Sequence, residues 1–374
     1  MLSINNVVVH ALVKEQHQPI QPSVFKNETL SPTDEGVKKL LEGVTKTYGS
    51  RNNSASYGIF REAGEGRGAF PDTFDHYIGL VNPSADNFLA LSRFAMDELY
   101  AKAHDSGPAS GGYMLFADYV HQGDQFLLVA MIKQKEGLML TEDLKPESLM
   151  ALDLTKLHQA ARINFTKYRA FLSADAEAQA ELVYLSFISP SQERGASGYF
   201  VTALGCQAGS TARKATDSLI KASAAFFRDN EEIKDRRLEF RDELLEYIDS
   251  KVKSESGEFI RLSEVDAIAR KYMPADQPGK QDELSEAFIA FLNNEENAVP
   301  SEFKASDLAL KQYQKMTVKS DHWQIKFDRS ALGDNDEAAI YYDEDANKII
   351  LKGVPEGMKA ILEDELGFRA LDES

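Results

Sequence analysis

Two strand-like runs flanking one tight turn constrain this chain most. Tyr113–Tyr119 and Gln125–Lys133 are rich in apolar and aromatic residues and are joined around Gln122-Gly123-Asp124, with Gly111-Gly112 leading in. Such a pattern predicts a β-hairpin, and a hairpin needs more strands or a covering helix to be stable. Ile4–Leu12, Leu138–Leu140, the segment around Arg162–Phe165, Val183–Ile188 and Tyr199–Leu204 are the other strand candidates. Together they predict a largely antiparallel sheet.

Helices flank it. Ser31-Pro32 reads as a helix start, with Ser as cap and Pro at the first position. Val37, Leu40, Leu41, Val44 and Tyr48 then fall on one helical face. A second helix opens near Pro83-Ser84 and carries Phe88, Leu91, Ala95 and Leu99, and Gly64-Glu65-Gly66-Arg67-Gly68 between the two reads as a loop. From about residue 229 the pattern turns helical and charged. Ile233, Phe240 and Tyr247, and likewise Leu238, Leu245 and Val252, recur every seven residues. That stripe suits packing against another helix, either within the chain or across a dimer. Short helices follow at Leu262–Tyr272 and Leu284–Leu292. Trp323, Ile325 and Phe327, then Ile340–Tyr342 and Ile349–Leu351, outline a small β unit, closed by an amphipathic helix over Glu356–Leu366. The expected class is α+β: a mixed domain over 1–228, a charged helical region over 229–315 and a small β/α unit over 316–374.

Charge narrows the function classes. The chain has 374 residues and a formal net charge of −18, which disfavours a surface that is uniformly attractive to nucleic acid. The charge is uneven, however. Residues 154–228 hold 9 Lys and Arg against 5 Asp and Glu, whereas residues 229–374 hold 20 against 35. No apolar stretch is long enough to span a bilayer. The first residues, Met1 to Val9, read as a strand instead of a signal peptide, and one cysteine, Cys206, fits a reducing compartment. A cytoplasmic protein is expected, with no membrane partner.

The most informative segment runs from Gly205 through Ser210, Thr211, Arg213 and Lys214 into a helix ending near Arg228. Lys214, Lys221 and Arg228 are seven apart and form a ridge with Arg213 at its margin; Ala215, Leu219, Ala222, Ser223 and Phe226 lie opposite. The helix start offers N–H groups to a phosphate. Asp217 sits inside the ridge, and the same spacing also describes a solvated face with internal ion pairs. A second basic group, Lys156, Arg162, Lys167 and Arg169, interleaves with Phe165, Tyr168 and Phe171. Its cations suit phosphate contacts, and its rings suit either base stacking or a strand's core face. Lys133 and Lys135 are weaker additions.

Enzyme motifs are not complete. The glycine-rich loop lacks the Gly-Lys-Ser/Thr ending of a phosphate loop. Asp343-Glu344-Asp345-Ala346-Asn347 begins like a calcium loop, but Lys348 and Val354 stand where glycine and glutamate are required. The seven histidines show no zinc spacing, and Cys206 has no nearby histidine. No catalytic residue, metal or cofactor is expected.

Several stretches resemble the 37-kilodalton nucleoid-associated bacterial proteins of the NdpA/YejK type. They are Tyr57-Gly58-Ile59-Phe60, Asn87 to Ser92, Gly111 to Phe116, Tyr184 to Ile188, Gly205 to Phe227, Ile325 to Asp328 and Ile349 to Pro355. The resemblance implies a non-enzymatic protein of the nucleoid that binds double-stranded DNA with little sequence preference. It also implies a homodimer. Insertions around residues 64–83 and 191–198 and the acidic later part depart from it. They suggest a specialised member working beside a DNA-processing protein, or docking its acidic region onto a basic partner.

Overall fold

The computed structural model describes residues 2–61, 67–189, 198–209, 211–254 and 258–367. It divides into two compact units, Met1–Ala305 and Ser306–Ser374.

The first unit is built on a sheet of β1 (Leu2–Leu12), β2 (Ser56–Phe60), β3 (Gly112–His121), β4 (Asp124–Leu140), β5 (Pro146–Asp153), β6 (Gln159–Asn164), β7 (Leu185–Ile188) and β8 (Cys206–Ala208). The strand order is β1-β3-β4-β6-β7-β2-β8, with β5 paired to the far end of β4, and every pairing is antiparallel. The β3–β4 hairpin closes where His121 faces Asp124. Gln122 and Gly123 both take positive φ, 52° and 94°, the geometry that matches a tight turn to strand twist and favours glycine.

Helices α1 (Glu35–Thr47), α2 (Phe70–Gly79), α3 (Ala85–His104), α4 (Phe165–Ser173), α5 (Ala176–Glu181) and α6 (Gly198–Ala203) complete the sheet's surroundings. Strand alternation feeds two cores. Leu127, Val129, Met131, Ala161 and Ile163 join Phe74, Phe88, Met96 and Phe200 of α2, α3 and α6 on one side. Phe126, Leu128, Ala130 and Ile132 join Val37, Leu41 and Val44 of α1 on the other. Both faces of the central strands are therefore covered.

The sequence reading needs correction in places. The first helix is capped by Asp34, whose carboxylate accepts from the Val37 N–H at 3.0 Å, so Ser31-Pro32 precede the helix instead of starting it. Tyr199–Leu204 does not form a strand. Its residues make α6, where Tyr199, Phe200 and Ala203 are buried at helical spacing. Phe165 and Tyr168 are core residues, but of the helix α4. Helix α2 and strand β5 were not foreseen. The glycines Gly64 and Gly66, and residues 191–197, lie outside the described residues.

The charged helical region belongs to the same unit. Helices α7 (Ala212–Asp229), α8 (Arg237–Lys253), α9 (Leu262–Arg270) and α10 (Pro278–Leu292) pack with the short pair β9 (Phe259–Arg261) and β10 (Glu302–Lys304). Phe227 stacks on Phe240 at 4.0 Å between centroids, and Phe288 meets both rings edge-on. Ile233, Phe240 and Leu245 of the seven-residue stripe are thus buried within the chain. After α10, buried Asn293 donates to the carbonyls of Ala55 and Val299 and accepts from the Ala55 N–H at 2.6 Å. Residue 228 itself lies in α7, within the first unit and beside the ring cluster of Phe227, Phe240 and Phe288.

The second unit holds α11 (Asp307–Gln314), β11 (Lys315–Lys319), β12 (Gln324–Asp328), β13 (Leu332–Gly333), β14 (Ile340–Asp343), β15 (Lys348–Leu351) and α12 (Glu356–Glu365). β11 and β12 form a hairpin, and Asp343 to Asn347 make the turn between β14 and β15.

Candidate nucleic-acid interface

Period-two alternation decides the fate of Arg162. It stands in β6 opposite Leu128 and Ser186, on the sheet face that α1 covers, so its side chain is drawn inward. The side chain is 13% exposed and pairs with Glu295 at 2.9 Å, with Tyr48 and Phe126 rings at 4.4 and 5.1 Å. Burial disfavours the guanidinium, but the Glu295 carboxylate and the surrounding Tyr119, Tyr48 and Tyr57 outweigh it and raise its pKa. Lys167 donates to the same carboxylate at 3.1 Å and to the Glu295 backbone carbonyl at 2.6 Å. Arg162 and Lys167 are thus paired within the chain to Glu295, a partner that the local sequence does not show because it lies 133 residues away from Arg162. Base stacking fails for a related reason: Phe165 and Tyr168 are 2% exposed, and Phe171 packs against the same core.

The other two cations of that group face outward. Arg169 is exposed on α4, and Lys156 is exposed ahead of β6. Lys156 lies near Lys133 and His158 at the foot of the β4–β5 pair, a grouping that the sequence reading did not show although it named both lysines separately. Burial, then Lys156, lowers the Lys133 pKa; burial, then Lys133 and Lys156, lowers that of His158. Lys133 also donates to Ser110 at 2.9 Å, while Lys135 is paired with Asp153 at 3.1 Å.

Helix α7 forms as its pattern predicts. Thr211 is the cap and takes the Lys214 N–H, so that donor of the helix start is already used. Ser210 lies outside the described residues. Ala215, Leu219, Ala222, Ser223 and Phe226 are buried against the helical core, while Arg213, Lys221 and Arg228 are exposed and Lys214 is half-buried. The ridge is partly neutralised where it stands. Lys221 bonds Asp217 at 2.7 Å and Arg228 bonds Asp229 at 2.7 Å. Such exposed pairs are weak, so a phosphate can compete for these cations.

Cys206 is fully buried, and burial pushes its thiol up, away from reactivity. Among the described residues no group of three or more His, Cys, Asp or Glu is placed to hold a metal ion. No helix among them is long and apolar enough to cross a membrane.

The fold and its surface define an antiparallel sheet protein, covered on both faces, that presents a cationic helix. The family described as nucleoid-associated protein YejK matches residues 8–359, and the chain belongs to that family. A nucleoid-associated protein of Azotobacter vinelandii is 26% identical over 359 residues, covering 96% of this chain and 97% of the relative. Nucleoid-associated proteins of Pseudomonas putida and Pseudomonas aeruginosa are each 27% identical, over 95% of this chain and 96% and 95% of their own lengths. These names describe an association with the nucleoid and no reaction.

Proposed function

We propose that this chain is a non-enzymatic protein of the bacterial nucleoid that binds double-stranded DNA with little sequence preference, and that it does so as a homodimer. The observation that carries the reading is the ridge of α7, where Arg213, Lys214, Lys221 and Arg228 stand over a buried apolar face. Lys156 and Arg169 are additional exposed contacts. Cations that reach phosphates without exposed rings beside them position a duplex and read no sequence. A dimer neutralising about eight phosphates would lose affinity with a log–log salt slope near −7. Fluorescence anisotropy on unrelated labelled duplexes from about 50 to 200 mM salt tests this. Similar, steeply salt-dependent binding supports the reading; no binding at low salt removes it. Lys214→Glu/Lys221→Glu should weaken binding and flatten the slope, and unchanged binding would take α7 out of the site.

A second reading is that acidic surface docks onto a basic DNA-processing partner. What favours it is the second unit, which carries 15 Asp and Glu against 9 Lys and Arg over residues 306–374. Equal recovery of partners by the full chain and by residues 1–305 would remove it.

A further inference from the structure

Strand β4 outgrows the body that covers it. From Phe126 to Ile132 its side chains are buried, but from Lys133 onward it pairs only with β5, as a two-stranded arm over residues 133–153. The register sorts the arm's side chains. Gln134, Glu136, Leu138 and Leu140 share one face with Leu152, Met150, Ser148 and Pro146, because directly paired residues point the same way. Lys133, Lys135, Gly137 and Met139 share the other with Asp153, Ala151, Leu149 and Glu147. The second face carries the Lys135–Asp153 ion pair and Glu147, with Met139, 47% exposed, as its one largely exposed apolar side chain. The first is apolar and uncovered. Leu138 is 77% exposed, Leu140 65%, Met150 58% and Leu152 40%, and Leu144 in the connecting turn is 78% exposed.

A two-stranded ribbon gains little stability by itself, and an apolar face concentrated on it marks an interface. We infer that this face is where two copies of the chain meet, arm packed on arm about a two-fold axis. The inference rests on the homodimer reading and locates its contact. Area supports a second copy as the occupant. At roughly 100 Å² of apolar surface for a fully exposed Leu or Met, these side chains offer roughly 300 Å² per arm. Two arms, at the usual apolar share of ~57%, then correspond to roughly 1,000 Å² in total, the lower bound for a specific interface. Charge supports it too. Glu136 is the only charged residue among the eight on this face, so two copies bring few like charges together. The tip, with Glu142 and Asp143 against Lys145, offers a polyphosphate no net attraction. Packing two ribbons face to face, ~10 Å apart, makes an isologous contact that closes at two copies.

Sedimentation velocity of the full chain between about 1 and 100 μM, the range suited to so small an interface, is the test. The wild type should shift from one chain to two across that range. Leu138→Lys/Met150→Lys should stay at one chain throughout, and Met139→Lys, on the opposite face of the same arm, should dimerise like wild type. Thermal melts should match for all three, since the altered side chains are exposed. Met150→Cys should cross-link through a disulfide under mild oxidation while Met139→Cys does not, because only position 150 lies on the contact face, and the buried native Cys206 does not compete. A dimer that persists in Leu138→Lys/Met150→Lys overturns the arm face and leaves the homodimer reading standing. A wild type that stays at one chain up to the highest concentration overturns both.

Discussion

His10 shows how one side chain ties stability to pH. Its Nε2–H donates to Ser92, which in turn donates to the Leu89 carbonyl, and its Nδ1 accepts from the Lys26 N–H at 3.1 Å. The bond at Nδ1 needs the neutral ring, because a protonated Nδ1 cannot accept, whereas Nε2–H donates in either state. Burial, aided by Arg93, lowers its pKa from 6.5 to about 4. The unfolded ring takes up a proton near pH 6.5, and the native ring only near pH 4. Stability is therefore full above pH 6.5 and falls as pH drops toward 4, by about 3 kcal/mol if the whole shift is realised. Urea midpoints measured from pH 7 to 4 should show this loss, and His10→Gln should flatten it. Arg162 gives a second prediction at this scale. Arg162→Ala removes one partner of a mostly enclosed pair and should cost about 3 kcal/mol in unfolding free energy. The salt slope of DNA binding should be unchanged. A shallower slope in a variant that still folds would return Arg162 to the interface.

Within α7 the competition is local. Asp217 occupies Lys221 through an exposed pair at i, i+4, so Asp217→Ala should raise DNA affinity about two- to three-fold at low salt. The gain should vanish by about 200 mM salt, where screening weakens exposed charges. Equal affinity at low salt would mean that Lys221 does not touch the duplex. Elements of this kind were legible in the sequence because their signals are local. The β3–β4 hairpin declares itself by its turn, and α7 by seven-residue spacing over an apolar face. Residues 199–204 were misread because Tyr-Phe-Val-Thr-Ala-Leu suits a strand by composition. Only packing against α3 selects the helical spacing of Tyr199, Phe200 and Ala203. Of the site, the cations facing solvent on α7 could be read directly. The inward turn of Arg162 could not, because it depends on a sheet covered on both faces and on Glu295 far along the chain.

Across the whole molecule, the charge segregation seen along the sequence is partly undone in space. The acidic later residues supply counter-ions to earlier ones: Glu295 to Arg162 and Lys167, and Asp266 to Arg51. Cutting after residue 228 would therefore expose an apolar and charged wound, whereas a cut near 305 follows the division between compact units. Limited proteolysis should remove residues 306–374 first and leave a resistant body ending near Ala305. In the second unit few apolar side chains are buried among the described residues, and Met358, Ile361, Leu362 and Leu366 of the α12 segment are 46–65% exposed. An early nick near residue 228 would contradict this division.

The clasp of Asn293 and Glu295 also sets a timetable. Ala55 and Asn293 are 238 residues apart, and Arg162 must wait 133 residues for its carboxylate. At ~5–20 residues per second, the ribosome emits those 133 residues in roughly seven to thirty seconds. Throughout that delay the nascent sheet carries an uncompensated guanidinium at its centre. The first unit should thus mature late, as one event near the emergence of residue 305, and a chaperone that shields the half-made sheet would find its substrate in that window.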